Sequence, residues 1–360
     1  MNPTLTPGNV IELVEAVRSA PCVIAVGAGT KPRLSAVSAV RISTTNLNGI
    51  VEYEPTEFTF TALAGTPVRD IAAALAERGQ YLPFDPMLVD AGTTLGGTVA
   101  SGISGPGRFR FGGLRDFILG VQFVDGAGRA MRLGGKVVKN AAGFDVPKFF
   151  IGSLGRFGIL TEITFKVFPA LASQQTLLLD ASDVESVVKI LTAAGSARWE
   201  LDALDWLPDA TSVAMRLNGP ATALEALTQE ILNRWPGRRL DETEAQALWI
   251  NLREFHWANA TGPLLKIAVV PNAVVTLAHS VSALSGARMH LSAGGNLAFI
   301  SLADAAQAVT LDQNLLTQKL SGMAMRGDAP LWLGARNDFK IAAAVKTALD
   351  AENRFPNLHD

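Results

Sequence analysis

Apolar positions in this chain recur at two spacings, one helical and one alternating, and the change between them marks out its elements. Val10, Leu13, Val14 and Val17 follow Thr6-Pro7 at helical spacing, so a helix is predicted to open there. Residues 22–26 form a short apolar run that enters Gly27-Ala28-Gly29-Thr30, as a strand running into a turn would. Phe58, Phe60 and Ala62 alternate with polar neighbours, the period of a half-buried strand. Thr66 then reads as a helix cap and Pro67 as the first helical position, ahead of Val68, Ile71, Ala72 and Leu75, with Gly79 past the last turn. A hairpin is predicted from 116–124 and 129–133 around Asp125-Gly126-Ala127-Gly128, followed by an alternating strand over 159–168. Beyond Pro169, strands at 176–179, 212–217, 265–270 and 297–301 alternate with helices at 184–194, 222–235, 243–255 and 272–284. That alternation predicts an α+β fold for the second part.

Length and composition sharpen this into two domains. The chain has 360 residues, 48% hydrophobic and 18% charged, enough apolar material for more than one core. The formal net charge of −2 supplies no electrostatic reason to expect a nucleic acid partner. Cys22 is the only cysteine, so the chain cannot itself ligate an iron–sulfur cluster, and a reducing compartment is expected. Residues 1–7 lack the pattern of a signal peptide. The longest uncharged stretch, 267–287, is interrupted by Pro271, Asn272 and His279 and reads as strand, turn and helix rather than a membrane span.

Glycine changes the picture most. Of 33 glycines, 23 precede residue 170, so tight turns and close backbone approaches concentrate in the first part. Gly27-Ala28-Gly29 alone is not a dinucleotide fingerprint, because the third glycine is missing and Pro32 stands where a helix should run. The second loop, 90–107, is more telling: eight glycines lie between Asp90 and Gly113, interleaved with threonines and serines. A core has no use for such a run. Two loops of this kind can converge backbone amides on a diphosphate without a helix dipole, and a smooth path along Gly102, Gly105 and Gly107 suits a flat ring.

These residues resemble the FAD-binding domain shared by vanillyl-alcohol oxidase, p-cresol methylhydroxylase and bacterial D-lactate and glycolate dehydrogenases. The likeness runs through Gly27 to Lys31, Leu95 to Gly102, Gly105-Pro106 with Arg108, Gly113 to Asp116, Gly134 to Asp145, and Gly152 to Glu162. Lys136 to Asp145, with Leu82 to Pro86, is similar more narrowly to the GlcE-type subunits of bacterial glycolate oxidase. The likeness implies an α+β protein: a PCMH-type two-subdomain FAD-binding domain (1–169), an α+β cap domain (170–330), and a C-terminal segment (331–360) returning to the FAD domain. It also implies FAD as cofactor. Gly27, Ala28, Gly29, Thr30 and Lys31 would meet the phosphates from one side, and Gly92, Thr93, Thr94, Gly96 and Gly97 from the other. Ser101, Gly102 and Gly105 would line the ring path, Gly158 and Ile159 would flank the adenosine or ribityl part, and Pro86 and Asp116 complete the set. Relatives with covalent flavin use a histidine or cysteine at the ring. Neither loop offers one, so a non-covalent FAD is expected. Partners implied are a larger FAD-linked GlcD-type subunit, an iron–sulfur GlcF-type subunit and a small 2-hydroxy acid. The implied location is cytoplasmic, at the inner membrane only through partners.

Oxidising a 2-hydroxy acid requires a base, a cation for the carboxylate and a hydride acceptor. Arg108 and Arg110 are candidates for the carboxylate, against the alternative that they pair with Asp116 or another subunit. Lys139, beside Asn140, is a candidate for support beneath the ring. Met289 to Asn296 departs from the acid- and histidine-rich metal motif of larger relatives, so no metal is expected and His290 reads as a strand-end residue. Arg253 and His256 read as a solvated helix face. Two rivals stay open: an autonomous FAD-dependent oxidoreductase of another small hydroxy acid or alcohol, and a non-catalytic scaffold subunit.

Overall fold

A computed structural model describes residues 4–135, 145–336 and 340–360. The chain divides into two compact units. One comprises 1–104, 113–170 and 338–360; the other comprises 105–112 and 171–337. The division places residues 105–112 in the second unit, and the segment expected to return from residue 331 stays there through 336.

Among the described residues the first unit holds three sheets, the smallest being the antiparallel pair Gln80–Tyr81 and Phe168–Pro169. A parallel three-stranded sheet runs in the order Thr4–Leu5, Val40–Ser43, Val23–Val26. An antiparallel five-stranded sheet runs Ile50–Glu54, Thr59–Leu63, Ile159–Lys166, Ile118–Val124, Ala130–Gly134. Leu13, Val17, Val23, Ile42, Val124, Ile159 and Phe355 pack into one of its cores. The first helix is Val10–Ser19, capped by Asn9, whose side chain accepts from the Glu12 amide at 3.0 Å. The helix therefore opens at Asn9 rather than at Thr6-Pro7, because an amide side chain directly before Val10 reaches that donor. Thr66 likewise does not cap Val68–Ala76: its hydroxyl bonds to the Leu63 and Gly49 carbonyls. The strand around Phe60 is covered on both faces rather than half-buried. Thr59 and Thr61 are buried, Thr61 meets the Thr164 hydroxyl at 2.9 Å, and Phe58 is exposed in a left-handed turn.

The second unit is built on one antiparallel nine-stranded sheet. Its order is Gly237–Arg239, Gln174–Asp180, Ser212–Asn218, Ala203–Trp206, Arg288–Ser292, Leu297–Ser301, Leu264–Ala268, Ser321–Arg326, Trp332–Gly334. Val213, Met215, Leu265, Ile267, Leu291 and Ile300 project from alternate positions into a core shared with Val184–Gly195, Ala221–Arg234, Val274–Ser282 and Ala305–Thr317. The uncharged stretch resolves into strand Leu264–Ala268, a short turn at Pro271–Ala273 and helix Val274–Ser282. Among the described residues no helix is long and apolar enough to cross a membrane.

Candidate functional site

The strand Val23–Val26 delivers the chain into the Gly27–Lys31 loop at the edge of a cleft in the first unit. The cleft has about 730 Å³ of empty space, its open mouth included. Its walls bring together Gly27 to Lys31, Thr93, Thr94, Gly96, Gly97, Ser101 and Gly158. The two glycine loops touch: a Cβ at Gly27 would fall on Thr94 Oγ1, and Gly29 has φ +72°, where glycine is unstrained. Lys31 Nζ bridges the loops, 3.0 Å from both Thr30 Oγ1 and Thr93 Oγ1.

The second loop departs from the expected irregular path. Leu95–Ser101 is a helix, capped by Thr94 through the Gly97 amide at 3.2 Å. Its N-terminal amides are already engaged, Leu95 to the Thr66 carbonyl (2.9 Å) and Gly96 to the Ala64 carbonyl (2.7 Å). Donors for an anion therefore come from elsewhere. Among the described residues, the amides of Gly27 to Thr30 have no hydrogen-bond partner. The Ser153 hydroxyl, buried in the cleft wall, has none either. Lys31 is the one charged side chain among the described lining residues. Free amides, an orphan hydroxyl, one cation and apolar walls from Leu34, Leu154 and Leu160 fit an elongated ligand with an anionic centre and apolar ends. FAD has that chemistry.

Other expected residues lie outside this lining. Gly92 turns the chain ahead of Thr93, and Gly102 ends the Leu95–Ser101 helix in a left-handed conformation. Pro86 is buried in the loop before it. Asp116 accepts from the Gly113 amide at 2.9 Å, which is a turn contact. Ile159 points into the core and Leu160 lines the cleft, because successive strand residues face opposite sides. Gly105 lies in the second unit, and Lys139 lies outside the described residues. Ala64 and Leu34 line the cleft and carry no sequence motif that would have singled them out, whereas Ser153 and Leu154 lie within the Gly152 to Glu162 block without having been chosen from it.

The second unit separates the two candidate arginines. Arg110 is held by Glu200 at 2.8 Å and lies 3.8 Å from Asp202, which also faces Arg216 at 3.3 Å. Its ion-pair partners are Glu200 and Asp202, neither of them Asp116, one of the alternatives to a substrate carboxylate. Arg108 instead acts on Lys266, a residue the sequence did not single out. Burial, and then the positive charge of Arg108, lower the Lys266 pKa to about 8. Lys266 stands opposite Phe299 in register, and Phe299 stands opposite His290, so the three share one sheet face. His290 is fully buried inside its strand rather than at the end. Its Nε2 is 2.8 Å from Asp205 Oδ2, and Asp205 Oδ1 accepts from Ser292 Oγ (3.0 Å) and the Ala293 amide (3.2 Å).

Comparison with known proteins bears on these sites. Residues 3–134 match the FAD binding domain family. The chain is 43% identical to the glycolate oxidase subunit GlcE of Escherichia coli (strain K12) over 156 residues, which cover 43% of this chain and 43% of that protein. It is 28% identical over 166 residues to glycolate oxidase subunit GlcD of Bacillus subtilis (strain 168), covering 46% of this chain and 35% of that one. D-2-hydroxyglutarate dehydrogenase of Xanthomonas citri pv. viticola is 29% identical over 210 residues, 56% of this chain and 44% of that enzyme. The chain thus spans under half the length of these curated relatives. Among solved structures, an alkyldihydroxyacetonephosphate synthase superposes with TM-score 0.70 at 15% identity, covering 97% of this chain and 76% of the other, which shows a shared fold. Residues 3–134 thus match an FAD binding domain, and over 43% of its length the chain is similar to glycolate oxidase subunit GlcE.

Proposed function

We propose that this chain is the GlcE-type FAD subunit of a complex that oxidises glycolate, or another small 2-hydroxy acid, to the 2-oxo acid. The observation that carries the proposal is the cleft in which unpartnered amides of Gly27 to Thr30 and the Lys31 ammonium converge between two glycine loops. FAD, when bound, supplies the hydride acceptor and a route for electrons. The Gly27–Thr30 amides and Lys31 hold its diphosphate, and Ser153 adds a hydroxyl donor. No histidine or cysteine is among the described residues lining the cleft, which supports a non-covalent cofactor. A lone cysteine, Cys22, leaves any iron–sulfur acceptor to a separate subunit of the GlcF type, and a GlcD-type subunit completes the assembly. Such a subunit works in the cytoplasm and meets the inner membrane through its partners.

One observation favours a second reading, in which this chain oxidises a hydroxy acid itself. Arg108 acts electrostatically on Lys266, so two cations of the second unit share one environment. The test begins with the visible spectrum of the purified chain, repeated on the supernatant after acid precipitation. A flavin band that moves to the supernatant is expected. A colourless protein that FAD cannot reconstitute would refute the proposal. Bleaching of the band by glycolate in the isolated chain would select the second reading.

A further inference from the structure

Arg156 is almost wholly buried, 1% exposed, in the first unit. Its guanidinium meets main-chain oxygens of three residues. Nη1 donates to the Leu34 carbonyl at 2.9 Å and also to the Leu154 carbonyl, and Nη2 donates to the main-chain oxygen of Asp360 at 2.7 Å. Leu34 and Leu154 both line the cofactor cleft, from chain segments about 120 residues apart. Leu34 belongs to the turn Pro32–Ser35, directly after the Gly27–Lys31 loop. Leu154 lies beside Ser153, whose hydroxyl is the buried orphan donor in the wall.

A buried charge that spans main-chain oxygens of Leu34, Leu154 and Asp360 has one structural consequence: these segments cannot drift apart without stranding it. From this geometry we infer that Arg156 is a positioning residue for the cofactor, setting the separation of the cleft walls at Leu34 and Leu154 and so the affinity for FAD. The inference rests on the cleft being the FAD site. Lysine cannot replace arginine here, because one ammonium lacks the planar fork that reaches several acceptors in fixed directions. Burial lowers the Arg156 pKa to about 10, with Asp360 opposing the shift, so the side chain stays protonated at neutral pH.

The test compares FAD dissociation constants, read by flavin fluorescence on the full chain, for wild type, Arg156→Lys, Arg156→Met and Arg354→Ala. Arg354 is the control. It ties the C-terminal segment to the Arg18 and Ala20 carbonyls without touching a cleft residue. Arg156→Lys is expected to weaken FAD about tenfold, equivalent to about 1.4 kcal/mol, with its far-UV spectrum unchanged. Arg156→Met is expected to weaken it further. Should the methionine variant fail to fold, the lysine variant decides. Arg354→Ala is expected to lower the melting temperature and leave FAD affinity within about twofold. Wild-type affinity in a folded Arg156→Lys overturns the inference, as does an equal loss in Arg354→Ala, which would mean general loosening. A wild-type chain that binds no FAD overturns the cofactor reading itself and this inference with it.

Discussion

At Gly27 the cofactor reading can be broken by a single methyl group. An added Cβ there falls on Thr94 Oγ1, so one loop must move away from the other. Gly27→Ala is therefore expected to weaken FAD by about tenfold or more while leaving the circular dichroism spectrum intact, measured by fluorescence titration. Unchanged affinity would show that the loops do not grip the ligand together. Lys266 offers a pH signature. Its folded pKa of about 8 lies below the unfolded value near 10.4, so between the two the unfolded chain binds more protons. The penalty for burying this charge is full below pH 8 and is relieved as pH rises toward 10, so its effect on stability becomes more favourable with pH. On the reading in which this chain itself oxidises a hydroxy acid, carboxylate binding at Arg108 and Lys266 should follow the opposite course. Affinity for a non-reactive 2-hydroxy acid analogue should fall as pH passes about 8, and Lys266→Met should bind weakly and lose that inflection in a calorimetric titration.

At the scale of elements, the Leu95–Ser101 helix shows how a glycine-rich run forms regular structure. Its seven residues depend on Thr94 as cap and on carbonyls of neighbouring segments for its first amides, since Gly96 and Gly97 have poor helix propensity. Thr94→Ala should cost about 1 kcal/mol in urea unfolding, and Thr94→Ser should recover most of it. An equal loss in both would place the effect in packing rather than the cap. In the second unit, Asp205 ties Ala203–Trp206 to Arg288–Ser292 by accepting from Ser292 and the Ala293 amide and pairing with His290. Asp205→Ala strands three buried polar groups and is expected to cost at least about 3 kcal/mol, read as a lower melting temperature. The glycine loops and alternating strands were legible in the sequence because close approach and a period of two leave marks at fixed spacing. The strands Ala203–Trp206, Arg288–Ser292 and Ser321–Arg326, and the helices Ala305–Thr317 and Lys340–Leu349, were not anticipated. Arg288–Ser292 carries His290 and Ser292 on the face opposite Leu291, where their pairing with Asp205 makes burial tolerable, and polarity hides such a strand from a hydrophobic pattern.

At the scale of the whole molecule, the C-terminal segment is part of the first unit's core. The Val23 amide donates to the Arg354 carbonyl at 2.7 Å, Phe355 is buried, and Lys346 bonds Asp350 at 2.5 Å and the Phe355 carbonyl at 3.0 Å. A ligand confined to the cleft should stabilise the unit that contains it. At 100 times the dissociation constant, FAD contributes about 2.7 kcal/mol. Hydrogen exchange with and without FAD is thus expected to slow in the first unit, including 340–360, with far smaller change in the nine-stranded sheet. Protection confined to the second unit would place the cofactor elsewhere.

What the sequence determined alone was local: glycines where backbones approach, alternation where a strand has two faces, and a family likeness carried by contiguous motifs. The tertiary structure decided which distant groups share an environment. Arg108 and Lys266 stand 158 positions apart in the chain, and folding brings them within electrostatic reach of each other. Arg110 looked equivalent to Arg108 and was taken up by Glu200 and Asp202. Arg156 is one more charged residue in the sequence until folding closes Leu34, Leu154 and Asp360 around it. Periodicity and motifs encode contacts within a few residues. Contacts between segments depend on register and burial, which no short window contains.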